Sequence, residues 1–231
     1  MIKITAVEYL NTLPFVHGIK NSGYLENYLL ELDIPSVCAE KMIAQKADIG
    51  LVPVVSLAKL ENYQIITDYC IGAVKSVGSV LLLSDVPIEN IKRVYLDYQS
   101  RTTNSLIKLL LVKYMDINVL WESGAIGFEE KIQGESAGII IGDRAFEMVD
   151  TFTHSYDLAS LWNQYTGLPF VFACWVEIGK LSQKVLNDCS KAIDWGVKHK
   201  YDVVKNVKKG IKLENYFENC ISYNLPGQLN A

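Results

Sequence analysis

The sequence has few of the residues on which metal and redox chemistry depend. Its 231 residues include three histidines, His17, His154 and His199, and none stands at metal-ligand spacing from another. The five cysteines are odd in number and form no Cys-x-x-Cys pair, a pattern typical of buried thiols in a reducing compartment. Neither GxGxxG nor GxxxxGKS/T occurs. The sequence therefore argues against a zinc enzyme and offers no nucleotide-binding motif.

Long hydrophobic runs and an excess of positive charge are also missing. The longest apolar runs, such as 106–112, fall well below the ~18 residues that a membrane-spanning helix needs. The first ten residues, MIKITAVEYL, do not follow the pattern of a signal peptide, so we predict a cytoplasmic protein. A net charge of −4 argues against nucleic acid as the main partner. We therefore predict a small-molecule ligand, with no membrane or nucleic acid partner.

The remaining composition is that of a well-packed α/β protein. Half of the residues are hydrophobic and 21% are charged, a composition that argues against disorder. Alternation predicts a strand at Ile2–Val7, and a largely apolar run predicts a buried strand at Ala47–Pro53, each followed by a helical pattern. Such repeated strand–helix units are typical of a parallel sheet with helices on its faces.

Two long extended stretches, Gln64–Ser84 and Phe170–Val176, are long enough to leave one sheet and enter another. We therefore predict two lobes joined by two hinge crossings, each lobe a mixed or parallel sheet flanked by helices. The first lobe would comprise residues 1–83 and 176–231, and the second residues 84–175. The ligand cleft would lie between them.

The stretch Tyr9–Phe15 follows the first predicted strand and opens a helix. Asn11 or Thr12 is suited to cap that helix, and Pro14 to occupy its first turn. Ligands in open α/β sheets bind at this end of the strands, and a helix N-terminus favours an anion. Ser56, in a helical turn after the strand ending at Pro53, is expected near the same edge. The alternative is an ordinary capped turn.

Three further segments combine polar groups with a possible ligand position. Ser76 and Ser79 flank Gly78, where the backbone could approach a ligand, although a bulged, solvated strand explains the same residues. Ser100, Thr102 and Thr103 precede an apolar helix and provide donors for an anion or a helix cap. Gly142-Asp143 forms a strand–helix junction in which we expect Asp143 to act as a helix cap rather than an acid catalyst.

Other local patterns carry predictions for the backbone alone. Ile34–Ala39 is predicted to be a strand and Glu40–Lys46 a short helix, while residues 157–170 are predicted to form a loop with buried aromatic side chains. Ser182 is predicted to cap a long helix that reaches about Lys208.

Taken together, the motifs resemble the chorismate dehydratase family of menaquinone biosynthesis, whose members have a type II periplasmic-binding-protein fold. The resemblance spans nearly the whole chain, and the motifs occur in family order. It rests on six segments: Tyr9–Phe15, Ala47–Pro53, Ser76–Val80, Ser100–Thr103, Ile141–Asp143 and Trp162–Phe170. Arg101 and Thr103 stand where the family has a tighter small-residue pattern, and the chain ends before the longer helical tail that we expect of the family.

The resemblance implies that chorismate loses water to give 3-(1-carboxyvinyloxy)benzoate, without a metal or organic cofactor. It implies that Asn11 orients the reacting part of the substrate and that Tyr9 and Ser56 contribute to binding. One substrate carboxylate would bind Ser100, Thr102 and Thr103 with the helix start that follows, and the other would bind Ser76 and Ser79 with the nearby backbone. The base would be either a carboxylate of the substrate itself or His17.

Two other functions share this predicted fold. The first is a cytoplasmic small-carboxylate-binding protein without turnover. The second is 1,4-dihydroxy-6-naphthoate synthase, the sister enzyme of the same pathway, which would be expected to present a different amino-terminal motif and a histidine base in the second lobe. Only His154 lies there, and the Tyr9–Phe15 motif favours the dehydratase.

Overall fold

A computed structural model describes residues 1–179, 181–204 and 213–225. The chain divides into two compact units, each an α/β structure with its own sheet. The first unit comprises Met1–Gly72 and Val171–Ala231, and the second comprises Ala73–Phe170. No helix in the described ranges has the length and apolar character needed to span a membrane.

The strands, in chain order, are β1 (Ile2–Val7), β2 (Tyr28–Asp33), β3 (Ile49–Pro53), β4 (Tyr63–Ala73), β5 (Val80–Ser84), β6 (Arg93–Leu96), β7 (Leu120–Ser123), β8 (Ser136–Ile141), β9 (His154–Asp157), β10 (Phe170–Ile178) and β11 (Ser222–Asn224). The sheet of the first unit has the order β11-β4-β10-β3-β1-β2, and that of the second has the order β7-β6-β8-β5-β9.

The α-helices, in chain order, are α1 (Leu13–Asn21), α2 (Pro35–Ile43), α3 (Arg101–Leu109), α4 (Asp143–Met148), α5 (Leu158–Thr166), α6 (Gln183–Lys198), α7 (Lys200–Val204) and α8 (Leu213–Asn215). Two π-helical turns extend helices, at Leu110–Tyr114 after α3 and at Tyr216–Cys220 after α8. Short 3-10 turns occupy Leu10–Thr12, Val54–Lys59, Ile88–Asn90, Phe128–Lys131 and Val149–Thr151.

Parallel pairing in each sheet brings strand ends to a common edge. In the first unit, β1 pairs in parallel with both β2 and β3. In the second, β6 pairs in parallel with β7 and β8, while β5 runs antiparallel to β8 and β9. The end of β8 therefore lies beside the end of β6 and the start of β5. These edges carry most of the residues that the sequence singles out.

The long stretch predicted at Gln64–Ser84 does leave one sheet and enter the other, but as two strands. β4 belongs to the first sheet and β5 to the second, with residues 74–79 connecting them. The contact division at 72/73 and 170/171 differs from the boundaries predicted at 83/84 and 175/176. The reason lies in the strand pairing. Residues 80–83 pair with β8 and β9 of the second sheet, whereas β10 pairs with β3 of the first sheet.

Three backbone predictions are wrong in informative ways. Residues 35–39 are helical rather than extended, because Pro35 occupies the first helical turn and starts α2 there. Residues 157–166 form β9's last residue and α5 rather than a loop, because the Asp157 carboxylate accepts from Ser160 N at 3.0 Å and caps the helix. Ser182 caps α6 as predicted, but α6 ends at Lys198, and residues 205–208 of the predicted helix lie outside the described ranges.

Helices α1 and α6 pack with their backbones unusually close. A Cβ atom added at Gly18 would lie 2.0 Å from Ala192 O, and one added at Gly196 would lie 2.0 Å from Pro14 O. Only glycine fits at either position, so two glycines facing one another let the helices approach. This contact holds the helix that follows the Tyr9–Phe15 motif against the rest of the first unit.

Each sheet has its own buried apolar cluster. The cluster of the first unit includes Met42, Val52, Cys70, Cys174 and Val176. The cluster of the second unit includes Leu81, Leu83, Tyr95, Phe128, Ile132 and Ile140. Separate cores are what the division into two units requires, since each unit must bury its own apolar surface.

The cysteine thiols offer a test of this packing. Cys38, Cys70, Cys174 and Cys189 are buried and Cys220 is half-buried, and none of the five forms a disulfide. Burial raises the pKa of Cys38 to about 11 and that of Cys70, Cys174 and Cys189 to about 12. Because the thiolate is the reactive form, we expect only Cys220 to react promptly with Ellman's reagent in the native protein. Five thiols should react after unfolding in guanidinium. Prompt reaction of two or more native thiols would contradict the packing described.

Candidate functional site

The Tyr9–Phe15 motif forms a 3-10 turn followed directly by α1. Tyr9, half-buried, precedes the turn, and Asn11 and Thr12 complete it. The predicted cap is wrong: neither Asn11 nor Thr12 bonds to the helix backbone through its side chain, and Thr12 Oγ1 instead donates to Asn11 Oδ1 at 3.1 Å. Pro14 does lie in the first turn of α1. The reason is that the 3-10 turn already supplies helical geometry to Thr12, whereas a capping residue needs an extended backbone.

Asn11 is half-buried and held through its main chain. Tyr223 on β11 donates its hydroxyl proton to Asn11 O at 2.8 Å. No hydrogen bond of the Asn11 Nδ2 amide is found within the described part of the chain. An amide donor at the carboxyl end of β1 is therefore available to a ligand.

Ser56 lies in the 3-10 turn that follows β3, the parallel neighbour of β1. The side chain is 1% exposed, and its Oγ has no hydrogen-bond partner among the described residues. A buried hydroxyl without a partner costs free energy, which a ligand or water bonded to it would recover. Because β1 and β3 end at the same edge, Asn11 and Ser56 both follow strands at the carboxyl edge of the first sheet.

In the second unit, Ser100 caps α3 as predicted. Its backbone is extended, and its Oγ accepts from Thr103 N at 3.1 Å. Ser100, Thr102 and Thr103 are all buried. A hydroxyl that accepts a cap hydrogen bond still has its own proton to donate. The start of α3 therefore combines buried hydroxyls with the positive end of a helix dipole.

Asp97 anchors this helix start, and the sequence analysis missed it. It follows β6 and is fully buried; its carboxylate accepts from Gln99 N at 2.9 Å and Ile141 N at 3.2 Å, and from the Arg144 guanidinium. Burial raises the pKa of Asp97, while Arg144 and the two backbone donors act in the opposite direction. The bond from Ile141 N ties the end of β6 to the end of β8, and the bond from Arg144 ties it to α4.

Arg144 extends this network on the surface of the second unit. Its guanidinium also pairs with Glu129 and lies 5.4 Å from the centre of the Tyr98 ring. Asp97 and Glu129 are thus both engaged in ion pairs with Arg144. We infer that Asp97 is a structural acid rather than a proton-transfer group. Its place directly after a strand was the one signal in the sequence that could have indicated it.

The loop containing Ser76 and Ser79 differs from the expected anion site in its backbone. Val77 N and Gly78 N donate to Asp157 Oδ2 at 2.9 and 2.6 Å. A carboxylate of the same chain therefore occupies the backbone donors that were predicted for the substrate. Gly78 has φ of +71°, which only glycine adopts readily. The loop also carries the side chains of Ser76, which is half-buried, and Ser79, which is 1% exposed.

The junction at Gly142 and Asp143 lies beside this loop. Gly142 N donates to Ser79 O at 2.9 Å, and Gly142 has φ of +66° and ψ of −147°, a conformation reserved for glycine. The prediction that Asp143 caps the helix is wrong. Gly142 occupies the capping position and Asp143 is the first residue of α4, because the strand ends one residue before Gly142 and the helix begins directly after it.

The histidines are engaged in packing. His17 Nδ1 lies 3.0 Å from Asn21 Nδ2, and the His17 ring lies 5.2 Å from that of Trp195. His154, on β9, stacks on Tyr156. Within residues 1–179, 181–204 and 213–225, no three His, Cys, Asp or Glu side chains form a group suited to a metal ion.

The structure therefore brings the predicted residues together in two sets, one in each unit. Ser76, Ser79, Ser100, Gly142 and Asp143 follow or precede strands at one edge of the second sheet, together with the start of α3 that carries Thr102 and Thr103. Tyr9, Asn11 and Ser56 lie at the carboxyl edge of the first sheet. Sequence patterns did not indicate Asp157 or Tyr223, since each acts through a partner at least 79 residues away.

Comparison of the sequence with known families gives one match over almost the whole chain. The family model, described as menaquinone biosynthesis, matches residues 2–230. Two curated relatives are named chorismate dehydratase. The one from Thermus thermophilus is 26% identical over 185 residues, and the one from Campylobacter jejuni is 28% identical over 172 residues. Each alignment covers 72% of this chain, but only 66% and 63% of the respective relative.

Solved structures share the fold at low sequence identity. An Archaeoglobus fulgidus protein superposes with a TM-score of 0.74 at 15% identity, over 99% of this chain and 92% of the other. A Candida albicans protein, described as having the generic periplasmic binding protein fold, gives 0.66 at 10%, over 97% and 82%. The ligand-binding component of a Staphylococcus aureus ABC-type import system gives 0.61 at 13%, over 96% and 84%. The predicted fold class is confirmed.

Proposed function

The chain belongs to the menaquinone biosynthesis family, and we propose that within it the protein is a chorismate dehydratase, a lyase of the futalosine route. The observation that most supports this activity is the Asn11 turn, in which Tyr223 holds the main chain, Thr12 holds the side-chain oxygen, and the side-chain Nδ2 has no hydrogen-bond partner among the described residues. The names of the two curated relatives support the same reaction.

The reaction removes a proton and a hydroxide from chorismate. The C–H bond beside the enolpyruvyl ether breaks, its electron pair forms a ring double bond, and the neighbouring ring hydroxyl leaves as water. Because the product ring is aromatic, the driving force lies in the substrate. The protein needs only to bind and orient the substrate and to stabilise developing charge. Hydroxyls, an amide and a helix start are suited to that task, and no cofactor is required.

The two carboxylates of chorismate would bind at separate positions. We propose that the start of α3 binds one of them through Ser100, Thr102 and Thr103. Ser76 and Ser79 would bind the other through side chains, since Asp157 occupies the nearby backbone donors. Gly142 and Asp143 would complete the wall of this site, and Tyr9, Asn11 and Ser56 would contact the reacting part of the substrate.

A carboxylate of the substrate is the base that we propose. His17 is the alternative, but its hydrogen-bond contact with Asn21 and its packing against Trp195 support a role in the α1–α6 contact. An intramolecular carboxylate reacts at high effective concentration, so a modest base suffices. A cytoplasmic location is part of the proposal, because five cysteines without a disulfide are typical of a reducing compartment.

The direct test is to incubate purified protein with chorismate and to follow substrate and product by liquid chromatography and mass spectrometry. A reaction without protein corrects for the spontaneous decay of chorismate. Enzyme-dependent formation of 3-(1-carboxyvinyloxy)benzoate supports the proposal. Calorimetric binding of chorismate without product would instead favour a small-carboxylate-binding protein. If neither is seen, a cyclic futalosine is the next substrate to test, as for 1,4-dihydroxy-6-naphthoate synthase.

Replacing Ser100 by alanine tests the carboxylate site on α3. We expect KM for chorismate to rise about fivefold to tenfold, because one charge-assisted hydrogen bond is lost, with a smaller change in kcat. Loss of the cap should also lower stability by about 1 kcal/mol. Ser182→Ala, which removes the equivalent cap of α6, is the matched control and should leave KM unchanged. Equal KM values for the two variants would contradict a role of Ser100 in binding.

A further inference from the structure

Tyr223 connects the last described strand to the Asn11 turn. It lies on β11, a three-residue strand at the edge of the first sheet that pairs with β4. Its hydroxyl donates to Asn11 O at 2.8 Å across 212 positions of sequence. The residue is 5% exposed, and its ring meets that of Phe15 edge-on at 5.1 Å. The buried phenol of Tyr223 therefore donates a hydrogen bond to the main chain of the proposed catalytic residue.

The Asn11 turn is a short element, three residues long. It is a single 3-10 turn whose backbone bonds include Thr12 N to Tyr9 O at 3.0 Å, and no side chain caps it. Thr12 Oγ1 contacts Asn11 Oδ1, which fixes the oxygen side of the amide. Short 3-10 turns have poorer hydrogen-bond geometry than α-helices. The direction of Asn11 Nδ2 thus depends on how the Asn11–Thr12 peptide plane is held.

We propose that Tyr223 is a positioning residue for the dehydration, which fixes the peptide plane of Asn11 and thereby the direction of its side-chain amide. The inference rests on the proposed function, because it assigns Tyr223 a part in that reaction. The Tyr223 hydroxyl restrains the carbonyl group of Asn11, and the Asn11 side chain branches from the Cα atom bonded to that carbonyl. A displacement of about 1 Å at a reacting group costs up to about 100-fold in rate.

The ring and the hydroxyl of Tyr223 have separable roles. Phe15 contacts Trp175 at 5.7 Å as well as Tyr223, so the rings of the three residues form one packed cluster. Tyr223→Phe would keep that ring cluster and remove only the hydroxyl that donates to Asn11 O. Burial raises the pKa of Tyr223 well above its usual value, so the phenol stays neutral and remains a donor throughout the working pH range.

The test compares Tyr223→Phe with Tyr69→Phe. Tyr69, on β4 of the same unit, donates to Asp194 Oδ1 at 2.5 Å, so its variant also loses one phenol hydrogen bond but none to Asn11. We expect Tyr223→Phe to lower kcat for chorismate about fivefold to tenfold, with KM changed less than about twofold. Tyr69→Phe should retain the wild-type kcat, and the two variants should have similar melting temperatures.

Wild-type turnover separates failure of this inference from failure of the proposed function. If the wild type converts chorismate and Tyr223→Phe matches Tyr69→Phe in kcat, the positioning role is wrong and the function stands. The positioning role would also be wrong if the fall in kcat were matched by an equal fall in the fraction of folded protein, since the role of Tyr223 would then be structural. If the wild type has no turnover of chorismate, the function and the inference both fail.

Discussion

Replacing Asn11 by alanine is expected to lower the kcat of chorismate dehydration by about 100-fold or more. Removal of one preorganised hydrogen-bond donor aimed at developing charge typically costs 10²–10³ in kcat, about 3–4 kcal/mol of transition-state stabilisation. The Asn11 amide is suited to this role because its backbone is fixed by Tyr223 while its Nδ2 has no partner among the described residues. Steady-state kinetics with chorismate measure the effect.

The fold should survive this change. The Asn11 side chain is half-buried, and its one hydrogen bond to Thr12 is worth about 1 kcal/mol. Asn21→Ala is a matched control, because Asn21 is exposed, lies at the end of α1, which follows the Asn11 turn, and contacts His17. Its kcat should stay within about twofold of the wild type. A kcat for Asn11→Ala above a tenth of the wild-type value would contradict the assigned role.

Asn11→Asp separates the donor from the shape of the side chain. Aspartate has nearly the same size but accepts hydrogen bonds only, and its charge would repel a substrate with two carboxylates. We therefore expect the aspartate variant to be at least as impaired as the alanine variant. An aspartate variant more active than the alanine variant would instead favour a base at this position.

Replacing Gly196 by alanine is expected to destabilise the protein by about 3 kcal/mol or more. The added methyl group would lie 2.0 Å from Pro14 O, 2.8 Å from Gly18 N and 2.9 Å from Gly18 Cα. All three are backbone atoms, so relief requires α1 to move away from α6. Overpacking costs about 1–3 kcal/mol even where side chains can adjust. The gain in helix propensity, about 1 kcal/mol, is too small to offset it.

Thermal unfolding measures this loss. For a chain of this size, about 3 kcal/mol corresponds to a fall in melting temperature of roughly 6–12 °C. Asn187→Ala is the matched control, because Asn187 is an exposed residue on the same helix whose side chain accepts a hydrogen bond from Gln183, and it should shift the melting temperature by a small fraction of that. If Gly196→Ala melts within about two degrees of the wild type, the close approach of α1 and α6 is not as described.

The two variants also differ in what they do to activity. Gly196→Ala is expected to displace α1, which follows the Asn11 turn, so kcat should fall in the folded protein as well if that turn has the proposed role. Asn11→Ala lowers kcat without a comparable loss of stability. A Gly196→Ala protein that is folded at low temperature and fully active would show that the α1–α6 contact does not position the turn.

Local sequence determined a large part of this protein. Alternation placed β1 at Ile2–Val7, and an apolar run placed β3 and β10. Ser100 and Ser182 cap helices as their side chains and the following apolar patterns indicate. These features depend on neighbours within a few residues, which is the range over which propensity, capping and periodicity act. The order of the motifs was also sufficient to indicate the family.

Tertiary structure decided how those segments serve the site. Asp157 occupies the backbone donors of Val77 and Gly78, which local pattern had assigned to a ligand. Tyr223 holds Asn11, and Asp97 joins the end of β6 to Ile141 at the end of β8 and to Arg144 on α4. Each of these bonds joins residues at least 44 positions apart. No local rule specifies such a partner, because it is chosen only when strand order and register bring the two segments to the same sheet edge.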